Sequence, residues 1–273
     1  MTTIALITGA NKGIGFETAR LLGARGMTVL VGARDEAKGR EAERALRDGG
    51  ADARFVQLDV TDEKSVARAA EWIEAEFGRL DILVNNAGIA RGDGSGAPSQ
   101  TTLATMRTVY ETNVFGVVAV TNAMLPLLLR SPAARIVNVS SEVGSIASMT
   151  DPDGPMAGMA SIPYPSSKSA LNMVTAMYAK ELRDTPVKVN AANPGYCATD
   201  LNGEQRVPHR GAGLRGERPP GHPAGRRPVR GALGASVDDC GARVLRRPPL
   251  VSSAGAPTMS ECVGIGGLQL VVP

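Results

Sequence analysis

The chain of 273 residues has few of the residues that mark secreted, metal-binding or membrane-spanning proteins. It contains 3 cysteines, without C-x-x-C spacing, and 2 histidines, so we expect no disulfide framework and no metal site, and we favour a reducing compartment. No uninterrupted run of about 18 apolar residues occurs, so no membrane span is expected. The N-terminal segment lacks the basic region and the length of a signal peptide. A net charge of +3 is too small to indicate a nucleic acid or a membrane surface as partner.

The sequence does contain an alternation of apolar, β-type runs with segments of helical periodicity. Six runs predict strands, at residues 4–8, 28–31, 54–58, 82–85, 135–139 and 187–191. Segments between them predict helices at residues 15–24, 36–47, 63–77 and 166–182, with Thr61 as the N-cap of the third. Nearly apolar strands separated by helices indicate a parallel sheet covered on both faces. The predicted fold class is therefore α/β, a doubly wound, Rossmann-like sheet.

The composition of the chain changes near residue 201. Residues 202–273 contain 10 Arg, no Lys, 5 Asp or Glu and half of the 18 prolines, whereas every aromatic residue lies at or before Tyr196. Such crowding of Pro and Gly argues against packed elements. We therefore predict one folded domain over residues 1–201 and a poorly ordered, Arg/Pro/Gly-rich tail over residues 202–273, in which residues 268–273 have the pattern of an edge strand.

A glycine-rich turn, TGANKGIG at residues 8–15, joins the first strand to the first helix. Gly9 permits a tight turn, Gly13 lets the backbone approach a pyrophosphate, and Gly15 permits close contact between helix and strand. The N-terminus of the helix offers unpaired N–H groups and the positive end of its dipole to phosphates. The turn is therefore predicted to bind a dinucleotide, and a plain glycine turn is the structural alternative.

Four motifs, in this order, resemble those of the short-chain dehydrogenase/reductase family over about residues 3–201. They are the glycine turn, Asn85-Asn86-Ala87-Gly88, Tyr164-Pro-Ser-Ser-Lys168, and Asn193-Pro194-Gly195 with Thr199. They lie at the carboxyl ends of predicted strands, where an open α/β sheet binds ligands. The resemblance implies an NAD(P)-dependent oxidoreductase that transfers a hydride between the nicotinamide C4 and a carbonyl or secondary alcohol.

The resemblance also implies which residues hold the cofactor. The pyrophosphate would lie on the glycine turn, the adenine beside the third strand, the ribose beside the fourth, and the nicotinamide beside the sixth. The expected cofactor-binding residues are Gly9, Asn11, Lys12, Gly13, Ile14, Gly15, Arg34, Lys38, Asp59, Val60, Asn86, Ala87, Gly88, Tyr164, Lys168, Pro194, Gly195 and Thr199.

The end of the second strand bears on the choice between NAD and NADP. A carboxylate there suits the ribose 2′-hydroxyl, and a guanidinium suits a 2′-phosphate. NAD-dependent members of the family place Asp where this chain has Ala33, which Arg34 follows; Lys38 and Lys12 add two further cations. This pattern resembles the NADPH-preferring carbonyl reductases, so we predict NADPH/NADP as the cofactor over NAD. In the alternatives, Arg34 is a solvated surface residue, and Asp35 binds the ribose or caps the next helix.

Tyr164 and Lys168 are spaced i, i+4, which places both side chains on one face of a helix. A phenol titrates near pH 10, about three units above neutrality, which corresponds to about 4 kcal/mol. A neighbouring ammonium and a positively charged nicotinamide ring both favour the phenolate. We therefore predict Tyr164 as the general acid/base and Lys168 as the residue that lowers its pKa and holds the ribose hydroxyls.

The resemblance further implies that Ser141, rather than Ser140, binds the substrate carbonyl oxygen, and that Asn113 holds a water beside Lys168. Each residue by itself has a structural alternative: a half-buried core tyrosine, a serine that caps a turn, or a buried asparagine. Their joint occurrence in the order typical of the family favours catalysis. The implied reaction is transfer of the pro-S hydride from C4 of NADPH to a ketone or aldehyde, with the proton supplied by Tyr164.

The sequence departs from the family pattern at two places. Ser141 and Tyr164 are 23 positions apart, and the Pro/Gly/Asp-rich insert at residues 149–159 is predicted to lie at the mouth of the site, where its three methionines line an apolar wall or pack within the loop. The tail after Asn202 is the second departure. We hypothesise a shifted reading frame, because GC-rich codons for residues 218–231 read one nucleotide later resemble a normal family tail; a basic interaction tail is the alternative.

These observations predict a cytoplasmic, NADPH-dependent carbonyl reductase or alcohol dehydrogenase. Its partner is a small-molecule carbonyl or alcohol, with neither nucleic acid nor membrane, and homo-oligomerisation is left open. The alternative is a catalytically weak dinucleotide-binding protein whose basic tail contacts acidic partners. Consumption of NADPH with a panel of carbonyl compounds distinguishes the two.

Overall fold

The computed structural model describes residues 2–90 and 97–195, and the backbone of three short strands beyond them. The predicted boundary at residue 201 and most of the predicted tail lie outside the described residues. So do Thr199 and both histidines, His209 and His222.

A seven-stranded sheet has the strand order β3-β2-β1-β4-β5-β6-β7. Its strands are β1 (Ile4–Thr8), β2 (Thr28–Ala33), β3 (Ala53–Gln57), β4 (Ile82–Asn85), β5 (Arg135–Val139), β6 (Lys188–Asn193) and β7 (Arg243–Val244). Strands β1 to β6 pair in parallel, and β7 pairs antiparallel with β6. The chain reverses its winding direction between β1 and β4, which is the switch point where such sheets bind ligands.

Helices connect the parallel strands. They are α1 (Gly13–Gly23), α2 (Glu36–Asp48), α3 (Glu63–Phe77), α4 (Leu103–Tyr110), α5 (Gly116–Leu128), α6 (Ile146–Thr150) and α7 (Pro163–Glu181). A π-helical turn, Glu111–Phe115, joins α4 to α5. A separate antiparallel pair consists of β8 (Cys262–Ile265) and β9 (Leu268–Val271), so the segment predicted as an edge strand is a strand of this pair.

The doubly wound α/β fold is confirmed, and β1, β4 and β5 have the predicted bounds. Three predictions at helix starts are wrong, and the first helix begins at Gly13 rather than at residue 15. Asp62 caps α3, because its carboxylate accepts the Lys64 N–H at 3.0 Å, whereas the Thr61 hydroxyl donates to Asp59 at 2.8 Å. Helix α7 begins at Pro163, where a proline needs no N–H partner and has a fixed helical φ, so Tyr164 lies inside the helix.

A long helical segment between β4 and β5 was absent from the sequence prediction. Leu103–Leu128 is long and apolar enough to cross a membrane by length and composition, with a mean hydropathy of 1.3, although it contains no unbroken apolar run of that length. Val120, Met124 and Leu128 are fully buried against the sheet. Such burial is typical of a core helix, and core helices also have the length and hydropathy that a membrane span requires.

The hydrophobic core has two layers, one on each face of the sheet. Along β1, Leu6 packs in the layer that contains Met124 and Leu128, and Ile7 packs in the layer that contains Leu22. Alternate residues of a strand point to opposite faces, so apolar residues in succession fill both layers. Each fully buried side chain of this size contributes about 1.5–3 kcal/mol.

Asp81, just before β4, joins three segments at the amino-terminal edge of the sheet. Its carboxylate accepts the Ile4 N–H at 2.9 Å, the Ser131 hydroxyl at 2.6 Å and the Arg79 Nε–H at 3.1 Å. Burial opposes ionisation, but these hydrogen bonds outweigh it and hold the pKa of Asp81 below its ordinary value. Asp81 therefore stabilises the fold only in its ionised form.

Asp81→Asn is expected to lower the free energy of unfolding by about 3 kcal/mol, because an amide places a donor where donors already converge. Urea unfolding at pH 7 measures this, with the exposed Asp184→Asn as the control. In the wild type the contribution is complete above the ordinary carboxyl pKa of about 3.9 and is lost as the pH falls through the lower native pKa. An unchanged unfolding midpoint for Asp81→Asn would contradict this account.

Candidate active site

The glycine turn after β1 adopts the conformation that its sequence predicts. Gly9 has a φ of +63° and Gly13 a φ of +57°, which residues with a side chain rarely adopt. A Cβ at Gly15 would collide with the Asn86 amide and lie 2.6 Å from the Gly9 carbonyl oxygen. The turn therefore packs directly against the end of β4.

Thr8 and Asn86 hold the glycine turn on the sheet. The Thr8 hydroxyl accepts the N–H groups of Asn86 and Ala87 at 3.0 and 2.9 Å, and the Asn86 amide donates to the carbonyls of Thr8 at 2.9 Å and Gly9 at 3.3 Å. The Asn86 side chain is thus engaged with the turn. Sequence reasoning assigned no role to Thr8, although its place directly before Gly9 was the available signal.

The start of α1 fits a phosphate group. The Lys12 side chain, at the N-cap position, makes no capping bond to α1, and the first turn contains no acidic residue. Asn11 and Ile14 flank the turn and are half-buried. Backbone N–H groups at the positive end of the helix dipole are therefore presented toward the ligand side of the sheet.

The turn after β2 shows Asp35 as a helix cap, and its role toward the ribose stays a prediction. Its carboxylate accepts the Lys38 N–H at 3.1 Å, so Asp35 caps α2. Arg34 and Lys38 are exposed, and the Arg34 carbonyl accepts the Gln57 amide at 3.0 Å. The two predicted cations therefore lie at the surface beside the carboxyl end of β2.

The loop after β3 carries the residues that were expected to contact adenine. The Asp59 carboxylate accepts both the N–H and the hydroxyl of Thr61, at 2.9 and 2.8 Å, and this fixes the turn. A Cβ at Gly116 would lie 2.9 Å from the Val60 carbonyl oxygen, so α5 begins in close contact with the same loop. Asp59 and Val60 are both half-buried.

The residues that were expected to hold the nicotinamide follow β6. Pro194 is buried, and Gly195 has a φ of +71°. The Gly195 N–H donates to the Asn193 side chain at 3.1 Å. Thr199, the fourth residue of this motif, lies outside the described residues, so its contact with the carboxamide stays a prediction.

Ser141, Tyr164 and Lys168 come together at the carboxyl end of β5. The Lys168 Nζ is buried, donates to the Val139 carbonyl at 2.7 Å and lies 5.5 Å from the centre of the Tyr164 ring. Ser141 opens a 3₁₀ turn, Glu142–Gly144, but its side chain does not cap that turn. It lies close enough to the Tyr164 phenol to lower the pKa of that group.

The protonation of this cluster follows from its burial. Burial raises the pKa of the Tyr164 phenol, and the hydrogen bond from Ser141 lowers it by less. Burial lowers the pKa of Lys168 to about 8, so the ammonium is still mainly protonated at pH 7. In the protein alone the phenol is therefore less acidic than a free tyrosine, and the expected acidification also requires the positive charge of the oxidised nicotinamide.

Asn113 lies buried in the π-helical turn Glu111–Phe115 and is tied to its neighbours through its amide. Its Nδ2 donates to the Ile89 carbonyl at 2.9 Å and to the Ser167 hydroxyl at 3.0 Å, and its Oδ1 accepts the Ile89 N–H at 2.9 Å. Both amide donors are used. The side chain therefore joins the segment after β4 to α7, and its water-holding role stays a prediction.

Gly88, after β4, lies next to both Asn113 and Lys168. A Cβ at Gly88 would be 3.4 Å from the Asn113 Oδ1 and 3.7 Å from the Lys168 Nζ. The end of β4 thus connects the glycine turn with the catalytic cluster. Among the described residues, no group of His, Cys, Asp or Glu side chains could hold a metal ion.

The insert at residues 149–159 begins at the end of α6, a helix that the sequence prediction did not include. Met149 and Met156 are half-buried, whereas Met159 is exposed. The placement of this insert at the mouth of the site, and its influence on substrate choice, stay predictions.

Comparison with known proteins gives consistent matches. The model of the short chain dehydrogenase family matches residues 3–209. The short-chain dehydrogenase anuI of Penicillium roqueforti is 41% identical over 210 residues, covering 75% of this chain and 82% of the relative. The NADPH-bound carbonyl reductase from chicken fatty liver aligns with a TM-score of 0.68 at 30% identity, over 76% of this chain and 84% of that one. The gluconate 5-dehydrogenase of Burkholderia cenocepacia, solved with NADP and tartrate, aligns with a TM-score of 0.65 at 29% identity, over 74% of each chain.

Proposed function

The chain belongs to the short-chain dehydrogenase family, and we propose that it is an NADPH-preferring reductase of small-molecule ketones or aldehydes. At the level of the family, it is a nicotinamide-dependent oxidoreductase that acts on alcohol or carbonyl groups. The observation that carries the proposal is the convergence of Ser141, Tyr164 and Lys168 beside the glycine turn.

We assign each of these side chains a task. A bound reduced nicotinamide supplies the hydride. The Ser141 hydroxyl and the Tyr164 phenol lie near each other, and in this proposal both donate hydrogen bonds to the substrate carbonyl oxygen and stabilise the negative charge that develops there. Tyr164 then transfers its phenolic proton to the oxygen, which completes the alcohol.

Lys168 supplies the charge that this proton transfer requires. Its ammonium is buried, so solvent screens its field only weakly, and a phenolate formed at Tyr164 is stabilised by it. Its hydrogen bond to the Val139 carbonyl fixes the ammonium at the end of β5. In alcohol oxidation the same two residues act in reverse, with the phenolate as the base.

The preference for NADPH is supported by the turn after β2. Arg34 and Lys38 offer exposed cations there, and one carboxylate oxygen of Asp35 caps α2. A guanidinium binds a 2′-phosphate through charge-assisted hydrogen bonds, which the ribose hydroxyl of NAD cannot match.

Arg34→Ala is expected to raise the KM for NADPH by about 10- to 100-fold, the equivalent of one or two strong charge-assisted bonds. The KM for NADH should change little, because NADH has no 2′-phosphate. Initial rates with both cofactors at a fixed ketone concentration measure the ratio, and Arg44→Ala, an exposed arginine on α2, is the control. Equal losses with both cofactors would contradict the assignment.

We further propose that the segment after residue 201 limits turnover. Its composition supports this, because residues 202–273 contain no aromatic residue and 9 prolines. The match to the family model also ends within this segment, at residue 209. NADPH consumption by this chain should be compared with that of a variant in which the proposed reading frame is restored. Equal turnover by both would refute the limitation, and NADPH binding without consumption by this chain would favour the weak binding protein. We also propose a cytoplasmic location, because 3 cysteines without C-x-x-C spacing suit a reducing compartment.

A further inference from the structure

Asn172 lies on α7, one helical turn beyond Lys168 and two beyond Tyr164, so the three residues share one face of the helix. Its amide contacts the chain on both sides of Ser141. The Ser140 hydroxyl donates to the Asn172 Oδ1 at 2.6 Å, and the Asn172 Nδ2 donates to the Gly144 carbonyl at 3.2 Å. Sequence reasoning missed this residue, although its spacing of four from Lys168 was a signal.

The two contacts hold the backbone around Ser141. Ser140 directly precedes Ser141, and its N–H also donates to the Ala192 carbonyl of β6 at 2.7 Å. Gly144 ends the 3₁₀ turn that Ser141 opens. Because Ser141 lies outside regular strand pairing, its position depends on the anchoring of these two flanking residues.

The 3₁₀ turn Glu142–Gly144 packs tightly against α7. A Cβ at Gly144 would lie 2.8 Å from the Lys168 carbonyl carbon and 2.9 Å from the Asn172 Nδ2. The Gly144 carbonyl also accepts the Ser169 hydroxyl at 3.0 Å. The Gly144 carbonyl thus accepts hydrogen bonds from two side chains, Ser169 and Asn172. Among the residues that the structure describes, the Ser140 hydroxyl has Asn172 as its side-chain partner.

We propose that Asn172 is a positioning residue, which holds the turn that carries Ser141 against α7 so that the serine hydroxyl meets the Tyr164 phenol. The proposal rests on the function proposed above, because it takes Ser141 and Tyr164 as the two groups that contact the substrate oxygen. Asn172 itself acts through Ser140 and Gly144.

A double-mutant cycle tests whether Asn172 acts through its hydrogen bond to Ser140. Asn172→Ala and Ser140→Ala are each expected to lower kcat for ketone reduction by about tenfold with the KM for NADPH unchanged, because the glycine turn is untouched and one hydrogen bond is worth about a factor of ten. The double variant should lose no more than Asn172→Ala alone, since that variant already lacks the hydrogen bond that Ser140→Ala removes. Met173→Ala, an adjacent and exposed residue on α7, is the matched control.

A second measurement does not depend on turnover. The chain has 4 tyrosines, so the difference between the 295 nm titrations of the wild type and Tyr164→Phe isolates the Tyr164 phenol. The same difference, measured in the Asn172→Ala background, should show a phenol pKa higher by about one unit, because the displaced Ser141 hydroxyl no longer stabilises the phenolate. Met173→Ala should leave it unchanged.

The outcomes separate this proposal from the proposed function. A raised phenol pKa in a chain that reduces no carbonyl compound supports the positioning role and refutes the function. An unchanged pKa and unchanged kcat in Asn172→Ala overturn the positioning role, as do losses in the two single variants that multiply in the double variant. If Asn172→Ala does not fold, Ser140→Ala, which removes one hydroxyl, undergoes the same titration and decides the question.

Discussion

Tyr164→Phe is expected to lower kcat for carbonyl reduction by about 10³-fold, because the variant has no proton to donate to the reduced oxygen and general acid catalysis is worth 10²–10⁴-fold. NADPH binding should stay close to that of the wild type, since the aromatic ring that packs beside Lys168 is retained. Steady-state rates with a ketone, together with a fluorescence titration of NADPH, measure both effects.

The control for this substitution is Tyr178→Phe, on the same helix. Its hydroxyl donates to the Asn122 side chain at 2.6 Å, and it lies several turns from the catalytic cluster. We expect Tyr178→Phe to turn over at the wild-type rate. Full turnover by Tyr164→Phe would refute the mechanism, and a loss confined to the KM for NADPH would assign Tyr164 to cofactor binding alone.

Lys168→Met is expected to stabilise the fold while abolishing turnover. The displacement of the Lys168 pKa from 10.5 to about 8 means that burial of the ammonium costs about 3 kcal/mol. Methionine fills a similar volume without a charge, and the lost hydrogen bond to the Val139 carbonyl offsets about 1 kcal/mol. We therefore expect a net gain of about 2 kcal/mol in the free energy of unfolding at pH 7, measured with urea.

The pH dependence of this gain identifies its cause. In the wild type, the lysine is charged in both states below pH 8, is neutral only in the folded state between pH 8 and 10.5, and is neutral in both states above that range. The gain of Lys168→Met should thus be complete below pH 8 and disappear as the pH approaches 10.5. Lys180→Met, an exposed lysine on α7, should show no gain at any pH. A Lys168→Met variant less stable than the wild type at pH 7 would show that burial of the charge is not the dominant cost.

The regular elements of this protein could largely be predicted, because their signals are local. The strands at β1, β4 and β5 are apolar runs bounded by turn residues, and their bounds match the prediction. Helix starts were harder, since Asp62 and Thr61 are both good N-caps and only the path of the chain at Asp59 selects between them. The long helix before β5 was missed because its apolar residues fill the core without a clear polar face.

The amino-acid sequence by itself determined the doubly wound order of strands and helices, the glycine turn, and the spacing that places Tyr164 and Lys168 on one helical face, since each depends on residues a few positions apart. Only the tertiary structure decided that Asn86 holds the glycine turn from 77 positions away, that Lys168 donates to the carbonyl of Val139, and that Asn172 contacts Ser140. These are hydrogen bonds between distant segments, and their partners are selected by the packing of the strand ends and of α7.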